Sequence, residues 1–210
     1  MMHINKSWLM ECMGTFFFIL TIAMGLHPLA IASMLMAWLY IGGYVSGAHY
    51  NPMLSLAIKL RENSSWSKFG QYALAQIVGG FLAYGAAGYL QGGITIPAPG
   101  ADATLLQAFV VEILLAFVLA SVVLTVATTA PYKNSNIFGF AIGLSILALA
   151  ALGTPISGGL FNPAIALGAS LAGLAFYGIP VLFNHLLMYV AGACIGGALA
   201  AKSCNYFETK

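Results

Sequence analysis

Charge is scarce in this chain. Only 6% of its 210 residues are Asp, Glu, Lys or Arg and 61% are hydrophobic, against about 25% charged residues in a soluble domain. That shortage excludes a soluble reading and puts the chain in a bilayer. The net charge of +2 comes with no clustered basic face, so no nucleic-acid partner is expected. Three cysteines, Cys12, Cys194 and Cys204, lack metal-like spacing and read as small core residues. Together with four His and five acidic residues they make no nucleophile–base constellation. No metal, cofactor or enzyme activity is therefore expected.

What the chain has instead is apolar runs. Trp8 to Leu26, Leu29 to Val45, Tyr72 to Leu90, Leu105 to Thr129, Ile137 to Leu152 and Ile179 to Ala201 are each near the length of a membrane-crossing helix, predicting six spans. Lys6 before the first run and Ala30-Ile31-Ala32 after it imitate a cleavable signal peptide. Glu11 inside that run, matched by Glu112 in the second half, argues against removal. With the N-terminus in the cytoplasm, all seven basic residues fall on one side: Lys6, then Lys59, Arg61 and Lys68, then Lys133, then Lys202 and Lys210. The outer loops keep only Asp102, as the positive-inside bias requires. Both termini are thus expected in the cytoplasm, and the short loops and tails lean towards a bacterial inner membrane or another plasma membrane.

The heptapeptide Ser46-Gly-Ala-His-Tyr-Asn-Pro52 returns as Ser157-Gly-Gly-Leu-Phe-Asn-Pro163. In each copy Asn reads as an N-cap and Pro as the first residue of a helix, opening the short apolar runs Met53 to Leu60 and Ala164 to Leu174. One such dipeptide is an ordinary turn; two in the same frame are a repeat. About ten residues at roughly 1.5 Å each cover about half of a roughly 30 Å hydrocarbon core, so these helices enter and stop. With three spans per half, the second copy sits upside down. The expectation is an all-α membrane protein: six transmembrane helices plus two re-entrant half-helices in an inverted repeat. It forms one domain over 1–210, with halves near 1–100 and 101–210.

Irregular backbone at that depth is tolerated only where it is buried in protein or lines a wet cavity. Glu11 and Glu112 are costly in lipid, so each is expected to face inward and accept hydrogen bonds from a loop, with His49 as further support. Two helix N-termini aimed at one spot carry about half a positive charge each and oppose cations there, while neutral solutes are not excluded. If each Asn caps through its oxygen, the amide NH₂ groups of Asn51 and Asn162 stay free to donate to a passing solute. Gly139/Gly143 and Gly192/Gly196 read as close helix packing.

These residues resemble the major intrinsic protein family, the aquaporins and aquaglyceroporins. The resemblance rests on Glu11-Cys-Met-Gly-Thr15, both Asn-Pro boxes, Ala75-Gln76 with Gly79, and Glu112. It implies an aquaporin-like fold and a homotetramer with one pore per subunit, passing water or small uncharged solutes passively and without cofactor. The pore midplane would comprise Asn51, Pro52, Met53, Asn162, Pro163 and Ala164. Two departures matter. Met53 stands where the family usually has Ala, which would put a larger, flexible side chain beside the constriction. Ile165 stands where it usually has Arg.

Carried over by distance from the Asn residues, the outer filter would be Ile31, Ala150, Gly159 and Ile165, with no side-chain donor and two very small members. Such a ring undersolvates water and admits bulkier molecules, favouring a channel for neutral solutes such as glycerol, urea or metalloid acids, with some water. His27 or His185 near the outer mouth is the alternative element that would narrow the path. A strict water channel and a non-conducting scaffold shut by Met53 and the apolar filter are the competing readings. A secondary transporter would need a titratable group for ion coupling beyond the two Glu residues. The first half is compact, with 40 residues from Glu11 to Asn51 against 50 from Glu112 to Asn162, so the first outer loop is nearly absent.

Overall fold

The computed structural model describes residues 5–133 and 135–208, so Lys210 of the topology argument lies outside it. Eight helices follow one another: α1 Lys6–Ala23, α2 Pro28–Ser46, α3 Pro52–Glu62, α4 Trp66–Gln91, α5 Leu105–Thr128, α6 Phe138–Gly153, α7 Pro163–Tyr177 and α8 Phe183–Glu208. The described residues contain no strand. Helices α1, α2, α4, α5 and α8 are long and apolar enough to cross a membrane. At 16 residues α6 is shorter, and turns that return Thr154 N–H to Ala150 and Ser157 N–H to Gly153 carry it into the second loop. The short α3 and α7 are the two re-entrant elements.

Polar caps set several boundaries that the apolar runs miss. Helix α4 starts six residues before Tyr72, where the Ser65 side chain accepts the Lys68 N–H. Thr104 and Gln107 form a capping box at the start of α5. The predicted start of the last span at Ile179 is too early. Gly178, with φ of 65°, ends α7 in a left-handed cap, and Pro180 follows before α8 begins at Phe183. That helix also continues past Ala201 to Glu208, because a helix does not stop where hydropathy does.

Helices α4 and α8 share a frame, Tyr72 to Gly79-Gly80 and Tyr189 to Gly196-Gly197. A Cβ on Gly79 would run into the Cys12 carbonyl of α1, and one on Gly196 into the Ile113 carbonyl of α5. A Cβ on Gly80 would meet the Ala164 carbonyl of α7, and one on Gly197 the Met53 side chain of α3. Each glycine pair therefore lets one long helix approach both a spanning helix and a half-helix closely. Gly139 and Gly143 do the same for α6 against Tyr40 and Met36 of α2.

The outer faces of the helices remain apolar, with Leu74, Leu106, Leu114 and Leu187 each more than half exposed. Such a surface suits lipid. Arg61 fastens the end of α3 by donating to Thr128 on α5 and to Asn205 and Glu208 on α8.

Close packing at Gly79 predicts that Gly79→Ala costs about 1–3 kcal/mol through overpacking against backbone. Gly70, on the same helix, has open space around it, and Gly70→Ala should be neutral or stabilising by up to about 1 kcal/mol. Thermal unfolding of both variants in detergent checks the difference.

Candidate functional site

Each loop before a half-helix folds around a buried carboxylate. Glu11 Oε1 accepts Ser46 Oγ at 2.6 Å and His49 N–H at 3.0 Å, while Oε2 accepts Tyr50 N–H at 2.7 Å and Gln76 Nε2 at 2.8 Å. Glu112 Oε1 accepts Ser157 Oγ at 2.7 Å and Leu160 N–H at 3.0 Å, and Oε2 accepts Phe161 N–H at 2.6 Å. Both residues are 0% exposed.

The loops reach these carboxylates by the same left-handed path. Gly47, Ala48 and Tyr50 have φ of 91°, 51° and 49°, matched by 88°, 65° and 31° at Gly158, Gly159 and Phe161. Glycine adopts this freely, whereas Ala48, Tyr50 and Phe161 carry about 1–2 kcal/mol of strain each, offset by bonds from Ala48 N–H to Ser46 Oγ, Tyr50 N–H to Glu11 and Phe161 N–H to Glu112. Two tyrosines complete the clamps, Tyr72 OH donating to the Ser46 carbonyl at 2.8 Å and Tyr189 OH to the Ser157 carbonyl at 2.7 Å. His49 adds a contact from its Nδ1 to Ser55 Oγ at 3.0 Å, and Ser55 in turn accepts from Gln76.

The helix tips are tied to each other. Asn51 Oδ1 accepts Met53 N–H at 2.9 Å and Asn162 Oδ1 accepts Ala164 N–H at 2.9 Å, the caps read from sequence. The amide nitrogens are not free, contrary to that reading. Asn51 Nδ2 donates to the Phe161 carbonyl at 3.0 Å and Asn162 Nδ2 to the Tyr50 carbonyl at 3.1 Å. A carboxamide has two N–H bonds, so one per Asn keeps no protein partner among the described residues. The reciprocal bonds hold two helix N-termini, and their partial positive charges, tip to tip.

Two cavities flank this junction and share Phe18, Ile146, Leu160 and Phe161 as wall. One, of about 60 Å³, contains Asn51, Asn162 and the loop residues Gly47 to Tyr50. The other, of about 300 Å³, lies towards the α1–α2 turn and has Ile31, Ala150, Gly159 and Ile165 together in its lining. The carbonyls of Ala48, His49, Gly159 and Leu160 accept no protein hydrogen bond among the described residues, so these cavity-lining loops retain acceptors.

Several sequence expectations fall elsewhere. Met53 is fully buried, with its Cγ and Sδ over Gly197 of α8, and does not line either cavity; the missing Cβ of Gly197 gives it that room. Pro52, Pro163 and Ala164 are buried in the helix tips and are not on the cavity walls. His27 is exposed and caps α2, its Nδ1 accepting Leu29 N–H at 3.2 Å. His185 borders a separate small cavity with Ile96, Pro97 and Ser170. Neither His lines either of the two central cavities.

Sequence reasoning also missed wall residues, although a signal for them existed. Stepping inward by one helical turn from Ile31 gives Leu35 and Leu39, and stepping back from Ala150 gives Ile146 and Ile142. All of these line the cavities. The tyrosine clamps were visible as the shared Tyr72/Gly79 and Tyr189/Gly196 spacing.

Six spanning helices with two half-helices joined tip to tip, related as an inverted repeat, define an integral membrane protein of the aquaporin-like fold. The chain belongs to the major intrinsic protein family, whose model matches residues 1–203. It is 32% identical to "Aquaporin NIP1-1" of Zea mays over 81% of this chain and 58% of that protein. It is 29% identical to "Glycerol uptake facilitator protein-like 6" of Lactiplantibacillus plantarum over 93% of this chain and 95% of that one. The chain thus spans little more than half the length of the plant relatives it matches, but nearly all of the bacterial one. Among solved structures, the aquaglyceroporin from Plasmodium falciparum superimposes with a TM-score of 0.84 at 19% identity, covering 97% of this chain and 96% of that one.

The carboxylate clamps predict that Glu112→Ala, which leaves Ser157, Leu160 and Phe161 without their acceptor, lowers stability by at least about 1–3 kcal/mol. Asp102 is exposed, and Asp102→Ala should leave stability in detergent within about 0.5 kcal/mol of wild type. Equal melting of the two variants would contradict the clamp.

Proposed function

We propose that this chain is a passive membrane channel for small uncharged solutes, with some water passage and no catalytic activity. The observation that carries this reading is the pair of cavities that share Phe18, Ile146, Leu160 and Phe161 as wall, the smaller lined by Asn51 and Asn162, which hold two positive helix ends together. A cation or hydronium ion meets an unfavourable field there, whereas a neutral solute finds one N–H from each Asn and the unpaired loop carbonyls. Much of the remaining lining of the smaller cavity is aliphatic, including Leu35, Leu39, Ile142 and Ile146. A solute with a hydroxyl or amide edge and an apolar back fits that division. Glycerol, urea and undissociated metalloid acids are of this kind, and the names of the bacterial relative and the solved aquaglyceroporin agree with it.

In this reading Ile31, Ala150, Gly159 and Ile165 set the size limit at the wider cavity. None offers a side-chain donor, so each hydrogen bond that water gives up there costs about 1–3 kcal/mol, which favours a solute channel over a strict water channel. Met53, packed on Gly197, is no plug, which removes one ground for a non-conducting scaffold. The residues act as one domain of two halves, near 1–100 and 101–210. The assembly is a homotetramer in a plasma or bacterial inner membrane with both termini cytoplasmic, an orientation supported by the basic residues at one set of helix ends.

Ile165→Arg tests the filter. The guanidinium stem should fill the space beside Gly159 and Ala150 while its five donors hold water. Glycerol permeability should then fall at least about tenfold, equivalent to about 1.4 kcal/mol of barrier, and water permeability much less, or it should rise. Stopped-flow light scattering on proteoliposomes of both proteins gives the ratio. An unchanged ratio removes Ile165, and the ring carried over with it, from the limiting constriction.

A further inference from the structure

The stripe of α6 residues that lines the cavities extends one turn beyond those already placed. Ala150, Ile146, Ile142 and Phe138 recur every fourth residue, and each borders one or both central cavities. Phe138 is the first residue of α6 and the aromatic member of that stripe. It stands about 12 Å along the helix from Ile146, which borders both cavities. Two other elements reach the smaller cavity at a similar remove from the Asn pair. Ala127, which continues the α5 stripe of Leu119 and Val123, is the last but one residue of its helix. Ile58 lies about 10 Å along α3 from Asn51. On α2 the stripe Ile31, Leu35, Leu39 continues to Gly43, where a Cβ would stand 3.4 Å from Phe138 Cζ. The ring of Phe138 thus faces the space that Gly43 leaves open.

That ring is held by a residue that lines neither cavity. Tyr40 of α2 packs on Phe138 with ring centroids 5.0 Å apart and planes inclined at 57°. Its hydroxyl donates to the Asn136 carbonyl at 2.9 Å, just before α6 begins. Ile137 caps α6 without a side-chain hydrogen bond, so Tyr40 ties down both the ring and the backbone that leads into it. The missing Cβ of Gly139 makes room for the Tyr40 ring.

We propose that Phe138, positioned by Tyr40, is a second size-selecting element, in series with the ring of Ile31, Ala150, Gly159 and Ile165 at the wider cavity. It rests on the reading of this chain as a solute channel. Of the two cavities, the one that Phe138 borders is the smaller, about 60 Å³ against about 300 Å³. Gly43 and Ala127 contribute little volume at its far end, so one aromatic ring sets the width there. The ring has no hydrogen-bonding group, and width is therefore the property it controls.

Proteoliposomes of the full chain give the ratio of erythritol to glycerol permeability by stopped-flow light scattering. Phe138→Ala should raise that ratio about fivefold or more, with Phe138→Leu in between. Tyr40→Ala should raise it in the same direction. Tyr40→Phe keeps the ring contact and loses only the hydroxyl, so it should stay nearer wild type. A role of Tyr40 in stability alone would lower the melting temperature of Tyr40→Ala and leave the ratio unchanged. Phe140, two residues further on and exposed to the outside, serves as control, and Phe140→Ala should match wild type.

An unchanged ratio in Phe138→Ala, or an equal rise in Phe140→Ala, overturns the proposal. An unchanged ratio in Tyr40→Ala removes Tyr40 from it. If Phe138→Ala does not assemble, Phe138→Leu decides by the same ratio. A wild type that passes neither solute contradicts the channel reading itself. Phe138→Ala then decides separately: a conductance opened by that substitution supports the second element, and continued silence overturns it.

Discussion

A backbone that leaves helical geometry halfway through a bilayer must find partners for its polar groups, since no lipid will supply them. Two carboxylates meet that demand. Glu11 and Glu112 together accept four loop N–H groups and two serine hydroxyls, and the left-handed residues of each loop are tolerable because these bonds fix them. With the N–H groups turned onto Glu, the carbonyls of Ala48, His49, Gly159 and Leu160 are left for the cavities. The helix tips then stop at the centre, where each Asn bonds the opposite loop. Burial, loop shape and the chemistry of the path thus depend on one pair of side chains.

The two halves use the same plan with unequal parts. Gln76 gives Glu11 a fourth donor, and the corresponding residue on α8 is Ala193, so Glu112 has three. Ala48 bears left-handed strain at a position where the second loop has Gly159. A Cβ on that glycine would press on the Gly153–Thr154 backbone at the end of α6, which keeps the position small beside the wider cavity. Met53 replaces the small Ala164 of the other tip, and the glycine of α8 beneath it takes up the extra volume. The first half is therefore the more heavily braced and the second the more open.

Much of this was legible in the residues. The Asn-Pro boxes, the two Glu residues and the six apolar runs each reflect a demand that lipid imposes on any sequence, and such demands leave few alternatives. The failures share a cause. Hydropathy does not register the polar first turn of α4 or the last turns of α8, which are set by Ser65 capping and by Arg61 reaching Asn205 and Glu208. Spacing places Met53 one helical position from the tip but not on which side its chain turns, and only the hollow at Gly197 decides that. The second role of the Asn amides depends on a loop more than a hundred residues away, which no local pattern encodes. The Ile31 and Ala150 stripes were readable by helical period once either end was fixed.

The central claim is that two helix ends tied together by Asn51 and Asn162 make a path for neutral solutes that excludes protons. It is tested most directly by reconstituting the wild-type chain with a pH-sensitive dye inside the vesicles. Glycerol and urea entry and proton leak are then followed on the same preparation across a range of temperatures. The account predicts entry of at least one of these solutes well above that of protein-free vesicles, with a weak temperature dependence and no added proton leak. Solute entry no faster than in protein-free vesicles, or a proton leak that accompanies it, would contradict the account.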